Sequence, residues 1–193
     1  PRVLALGAPQ SLTFLGLALG SAAILSALQW VEPKHYEVTV SAYGIITRVL
    51  TFCYLPLLGL SHAMQTITGH NYGAQQGRRS DASLKTALIT ALIYCAGVQV
   101  VLSLFAAPIG AAFVDDPSVI AEVAHLLPII VALFTLAGPL MVIAMHFQAI
   151  GQASRAALLA LSKPYLFSLP MTFLFAARFG EAGIWLVGPM GEL

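Results

Sequence analysis

The chain is 193 residues long, 59% hydrophobic and only 9% charged, with a formal net charge of +1 and a mean hydropathy of +0.87. A soluble domain is about 45–50% apolar and about 25% charged, so this chain cannot cover a water-exposed surface: a cytosolic enzyme, a nucleic-acid binder and a disordered regulator are excluded. No basic tract of the kind that tracks phosphates is present, and Cys53 and Cys95 sit inside apolar runs, implying neither a disulfide nor a zinc framework.

What remains is an integral membrane protein. A spanning helix needs about 20 mostly apolar residues, and five such runs follow one another. The first, Val3–Val31, carries Gly16 and Gly20 at GxxxG spacing with Thr13 and Ala27 on nearly the same face, which predicts close helix packing; Gln10 is a polar group near its start. The second run is Ala42–Thr68. The third, Leu84–Val114, is apolar almost throughout. The fourth, Val119–Ile150, places Pro128, Ala132, Thr135, Pro139 and His146 along one stripe; its two prolines each remove a backbone hydrogen bond and predict a bend. The fifth, Ala156–Phe179, contains Lys163-Pro164 and Pro170 and is expected to bend as well. Transmembrane strands would alternate strictly over about 10 residues; these runs are longer and continuous, so the fold class is an all-α, polytopic membrane helical bundle. The opening on Pro1, with no initiator Met, and the apolar close Gly183–Leu193, too short to cross, suggest a fragment cut inside a helix.

Loop charges orient the spans. Arg2, then Arg78, Arg79 and Lys85, then Arg155 fall on one side; Glu32, Lys34 and Glu37, then Asp115, Asp116 and Glu122, then Arg178 and Glu181 fall on the other. By the positive-inside rule the first set is cytoplasmic and the chain starts in the cytoplasm.

The second run is the informative one. At 100° per residue, Val49, Leu50, Phe52, Cys53, Pro56, Leu57, Leu60, Ala63, Met64 and Ile67 share one half of the wheel. The other half holds Thr47, Arg48, Thr51, Tyr54, Ser61, His62, Gln65, Thr66 and Thr68. Lipid cannot satisfy polar side chains, so this half should face protein or a wet cavity. Two readings stay open. Ser and Thr can be hydrogen-bonding glue between helices, whereas large polar groups such as Arg48, Tyr54, His62 and Gln65 suit a cavity wall. For Arg48, about two turns inside the outer end of the run, snorkelling to the headgroups is a third reading. Enzyme motifs (HExxH, GxSxG, a phosphate-binding glycine loop) are missing, so no catalytic residue, metal ligand or cofactor is assigned and the protein is read as a non-enzyme.

At Gly59–Ala74 the string GLSHAMQTITGHNYGA resembles the end of the eighth helix and the following loop of the multidrug and toxic compound extrusion (MATE) family, where a pattern close to G-x-x-x-x-x-Q-P-I-x-G-x-N-Y-G-A is common. Upstream, YGIITRVLTFCYLPLLGL resembles the body of that helix, including the arginine matched by Arg48. FAAPIGAAFVDDPSVI is similar to the link between helices nine and ten, FQAIGQASRAALLALSKPYLFSLP to the join of ten and eleven, and GIWLVGPMGEL to the entry to twelve. Thr66 stands where the family often has Pro, and Lys163 where it often has Arg.

The resemblance implies that residues 1–193 are one transmembrane lobe, helices seven to eleven and the start of twelve, with the first lobe absent. It implies secondary active multidrug efflux: export of organic, often cationic, drug-like compounds in antiport with H⁺ or Na⁺, across a bacterial-type inner membrane. Substrate-contacting residues would be Gln10, Arg48, Tyr54, His62 and Gln65. No Asp or Glu lies in the middle of any run, so the coupling ion is expected mainly in the missing lobe. The alternatives are a lipid-linked oligosaccharide flippase of the same superfamily, which needs a more cationic cavity than Arg48 alone supplies, and a non-transporting membrane scaffold.

Overall fold

The computed structural model describes residues 2–31 and 35–190. Of the loop charges used to orient the spans, Glu32 and Lys34 lie outside the described residues, as do the side chains of Arg2 and Glu181. A bilayer core offers no water to the peptide group, so a chain this apolar must pair its N–H and C=O groups within helices. Among the described residues all regular structure is helical: α1 (Arg2–Val31), α2 (Tyr36–Gly73), α3 (Gly77–Leu104), α4 (Ala106–Ala111), α5 (Pro117–Ile130), α6 (Phe134–Ala149), α7 (Ala153–Leu161), a π-helix (Ser162–Ser168), α8 (Leu169–Phe179) and α9 (Glu181–Met190).

The five apolar runs become five rods: α1, α2, α3, the α5–α6 pair and the α7–π–α8 string, with α9 beginning a sixth. Within the described residues α2 and α3 are each long and apolar enough to cross a membrane, and α5 with α6 makes a third candidate span bent by 51°. The helix ends differ from the ends of the apolar runs. Helix α2 starts at Tyr36 rather than Ala42 and continues to Gly73, and α3 starts at Gly77 rather than Leu84. A helix keeps its internal hydrogen bonds beyond the hydrocarbon, so apolarity marks the bilayer and not the helix. At the other end of α3 the apolar run overshoots, because Phe105–Val114 turns away as α4 and a loop. The start of α5 is set locally: Asp116 Oδ1 accepts from Ser118 N at 2.9 Å and from Ser118 Oγ at 2.6 Å, with Pro117 at the first helical position. These two bonds hold the Asp116 carboxyl below its ordinary range. Gly151 and Gly180, both at positive φ, end α6 and α8.

Helices α2, α3 and α5–α6 pack into one group; α1, α7–π–α8 and α9 form another, and α5 against α9 and α6 with α7 join the two. Tyr54 stacks edge-on to Phe134 with centroids 5.2 Å apart, and fifteen residues further along both helices Gly69 faces the Ala149 carbonyl; α2 and α6 therefore run side by side in the same direction. Helix α3 runs against them. Tyr94 Oη donates to the Cys53 carbonyl at 2.8 Å. Gly138 lets α6 lie directly on α3, where a Cβ would come 2.6 Å from Cys95 Sγ and 3.1 Å from the Ala91 carbonyl oxygen. Among the described residues of α1, Gly16, Ala23, Ala27 and Leu28 are buried, while Gly20 meets nothing within 4 Å and the side chain of Thr13 lies outside the described residues.

The bend predicted in the fourth run falls at Val131–Leu133, between the two prolines. Backbone bonds shorten there to three-residue spacing: Phe134 N donates to Val131 O, and Leu136 N to Leu133 O. That leaves the Ala132 carbonyl and the Thr135 amide outside the helical ladder. One side chain takes both. Gln99 of α3 donates from Nε2 to Ala132 O at 2.7 Å and accepts at Oε1 from Thr135 N at 2.9 Å and Thr135 Oγ1 at 2.7 Å. In the fifth run the expected irregularity is the π-helix Ser162–Ser168, which contains Lys163-Pro164; a proline has no N–H to give to a helical ladder. Tyr165 Oη fixes that segment to α1 through the Leu12 carbonyl at 2.9 Å.

Replacing Gln99 by Met, which keeps the bulk and removes the amide, should cost roughly 1–3 kcal/mol, because two backbone groups are left unpaired in an apolar setting. A lowered thermal unfolding midpoint of the purified protein in detergent is the expected reading; an unchanged midpoint would show that the break does not depend on this side chain.

Candidate functional site

The polar half of α2 does not meet a single environment. Seen down the helix, its polar arc and its buried arc overlap only at one edge. Ser61 and Thr68 lie in that overlap, fully buried, and Thr68 Oγ1 donates to Met64 Sδ at 3.2 Å. Thr47, Arg48, Thr51, His62 and Thr66 lie on the open flank beside it. The exposed threonines do not bridge helices: Thr47 donates to the Tyr43 carbonyl at 2.8 Å, Thr51 to Thr47 at 2.8 Å and Thr66 to His62 at 3.0 Å. Each hydroxyl is committed to its own helix, the local bond open to threonine in a helix interior. The apolar half divides too. Phe52, Pro56, Ala63 and Ile67 are exposed, as lipid contact requires, but Leu57 and Met64 are buried in the core against α3 and α6. The packed face is thus rotated away from the polar face by roughly a quarter turn, and only tertiary contacts could reveal that offset.

Arg48 lies in a groove of about 350 Å³ between α1 and α2, with Ser21, Leu25, Tyr43, Gly44, Thr47 and Thr51. The groove exists because α1 and α2, although consecutive, hardly touch: α1 leans on α7–α8 and α2 on α3 and α5–α6. At its edge the Tyr43 ring rests 5.6 Å from that of Trp185 in α9. Because α2 begins at Tyr36, Arg48 stands roughly three turns from the helix start rather than about two.

The other residues singled out from sequence do not join Arg48. Tyr54 is half-buried and turned onto Phe134. His62 Nδ1 and Gln65 Oε1 are 3.3 Å apart, a pair on one helix about 25 Å along its axis from Arg48. The side chain of Gln10, like that of Lys163, lies outside the described residues. A second groove, about 550 Å³ between α2 and α3, is lined by Leu60, Met64, Ile67, Asn71, Arg79 and Thr86 among others, and by none of the predicted set. Sequence reasoning overlooked Gln99, Ser21 and Tyr43. For Gln99 a signal existed: it is the only carboxamide in the third apolar run, and a mid-span amide needs a partner.

The MatE family model matches residues 9–174. Among curated proteins the chain is 25% identical over 184 residues to Protein DETOXIFICATION 30 of Arabidopsis thaliana, covering 90% of this chain and 37% of that protein. It is 23% identical over 185 residues to the FAD transporter of Shewanella oneidensis (96% and 40%), and 24% identical over 151 residues to the multidrug export protein MepA of Staphylococcus aureus (78% and 33%). The chain therefore spans between a third and two fifths of the length of these relatives. Among solved structures, a crystal structure of MATE in the bent conformation superposes with a TM-score of 0.88 at 19% identity, over 99% of this chain and 42% of that one. An outward-facing multidrug resistance MATE transporter gives 0.86 at 18%, over 98% and 42%. At those identities the structures establish the fold alone, and the fold agrees with the sequence match: the chain is a multi-pass membrane protein that belongs to the MatE family.

Proposed function

We propose that the chain is the second lobe, helices seven to eleven and the start of twelve, of a secondary active exporter of organic, drug-like compounds, driven by H⁺ or Na⁺ antiport across a bacterial-type inner membrane. The family match over residues 9–174 carries this reading. A relative named as a multidrug export protein supports the cargo class. The exposed polar flank of α2 supports a solute path, since a purely structural bundle has no use for an arginine, a histidine and threonines on an open face.

In this reading the flank of α2 from Arg48 to Gln65 borders the path between the lobes, and the family supplies transport rather than catalysis. The antiported ion is bound elsewhere. Burying an ionisable acid in a membrane costs roughly 2.5–3.5 kcal/mol on insertion scales and is retained for a use. The described acids all sit at helix ends or loops: Glu37 in the first turn of α2, Asp81 in the second turn of α3, Asp115 and Asp116 before α5, and Glu122 in its second turn. The coupling carboxylate accordingly belongs to the partner lobe.

Four outcomes test this reading in the full-length protein. Expressed in a strain stripped of its own efflux pumps, it should raise resistance to ethidium several-fold. Gln65→Ala, which leaves the packed face intact, should lower that resistance at unchanged protein level; unchanged resistance would remove the lower flank of α2 from the path. Glu122→Gln should leave ion-driven efflux intact, and its loss at normal protein level would place coupling in this lobe. Single cysteines at Gln76, just before α3, and Ser118, in the first turn of α5, in a background lacking Cys53 and Cys95, should react with an impermeant reagent from opposite faces, Gln76 from the cytoplasm. Same-face labelling would overturn the topology.

A further inference from the structure

Ser21 and Arg48 are the polar groups of the α1–α2 groove on which the proposal rests. Thr47 and Thr51 have committed their protons to carbonyls of their own helix and offer the groove only lone pairs. Ser21 and Arg48 make no hydrogen bond or ion pair among the described residues. A guanidinium carries five N–H donors in a planar fork. Among the described residues no carboxylate lines the groove. The nearest described acid on the same helix, Glu37, is exposed, eleven positions earlier and roughly 16 Å away along the axis. Beside apolar walls (Leu25, Val40 and Gly44), Arg48 repels a cation and meets no counter-charge among the described residues, so the chemistry that completes this groove is an anion with oxygen acceptors.

We propose that the groove binds the carboxylate or phosphate group of a ligand entering between α1 and α2, with Arg48 as the counter-charge and Ser21 as a second donor. The volume of about 350 Å³ is within the range of small-molecule sites, and a fork-shaped cation pairs with either group through two parallel bonds. The site accepts the anionic end of a transported molecule or the headgroup phosphate of a lipid, the chemistry being the same. It rests on the exporter reading only for the route by which a solute arrives. It also adds a substrate class to that route: molecules with an anionic group, amphoteric ones included, beside the organic cations.

The test uses the full-length protein in phosphatidylcholine nanodiscs, with fluorescein as the anionic probe and ethidium as the cationic one, both read by fluorescence polarisation. Fluorescein should bind. Arg48→Gln should weaken it by about tenfold or more, Arg48→Lys, which keeps the charge and loses the fork, should fall between Arg48→Gln and the wild type, and Ser21→Ala should cost about twofold. Ethidium binding should not fall in Arg48→Gln. Arg48 is exposed, so the variants should fold, and an unchanged unfolding midpoint checks this. Adding phosphatidylglycerol separates the sources: if it weakens fluorescein binding to the wild type but not to Arg48→Gln, the headgroup fills the groove; if it has no effect, the ligand is a solute. Absence of fluorescein binding, or an Arg48→Gln affinity within about twofold of wild type, overturns the proposal. Because binding is read without transport, a failed efflux assay leaves this result standing, and a failed binding assay leaves the exporter reading standing.

Discussion

The Gln99 carboxamide makes the shape of this bundle possible. A break in a spanning helix frees backbone groups where no water can reach them, and each left unpaired costs of the order of a kilocalorie or more. Here the freed acceptor and donor, Ala132 O and Thr135 N, are met by the one side chain type that carries both partners on a single planar group. Glu at this position would lack the donor, and Asn would have a shorter reach. The clasp ties α3 to the break itself, so the 51° change of direction is held from outside the bent helix, and Gly138 one turn further on keeps α6 against α3.

Much of the architecture was legible because a bilayer imposes one rule on every segment. Uninterrupted apolar runs had to be helices; irregular turns fall near prolines in the fourth and fifth runs, while Pro56 lies inside an unbroken α2. The location of each disturbance was not legible. The fourth run bends between Pro128 and Pro139 rather than at either, because what decides the position is where α3 offers a replacement partner. The π-helix at Ser162–Ser168 contains Pro164, but a kink or a break would have answered the same sequence. Helix ends were misread for a simpler reason: hydropathy reports where the hydrocarbon is, and α2 extends past it at both ends.

The candidate site was legible as a flank and not as a place. Polar residues at helical spacing located the face of α2, and Arg48, His62 and the threonines are indeed open. Their partners were invisible, since Ser21 joins Arg48 across a gap set by how α1 leans on the fifth rod. Tyr54 shows the opposite failure: grouped with the cavity residues by periodicity, it is held by an aromatic neighbour eighty positions away in sequence. Leu57 and Met64 fell on the half of the wheel opposite the polar residues, yet they form part of the core. A helix that touches three neighbours has no single inside.

The irregular backbone is distributed in a way that matters for a moving protein. Helices α2 and α3, which carry the groove wall and the clasp, are unbroken over 38 and 28 residues. The breaks are confined to the fourth and fifth rods, and α6 and α7, the halves nearest their shared loop, connect the two packed groups. Irregular turns are the parts of a helix whose hydrogen bonds can be exchanged at low cost, so changes in the angle between the groups are most easily absorbed there. A surface sensitive to such a change is the α1–α2 groove, where helices of the two groups lie side by side and hardly touch. The position of Arg48 on a rigid wall, opposite a helix belonging to the other group, makes the groove's fit to a ligand depend on backbone geometry at Val131–Leu133 and Ser162–Ser168, far from any residue that touches it.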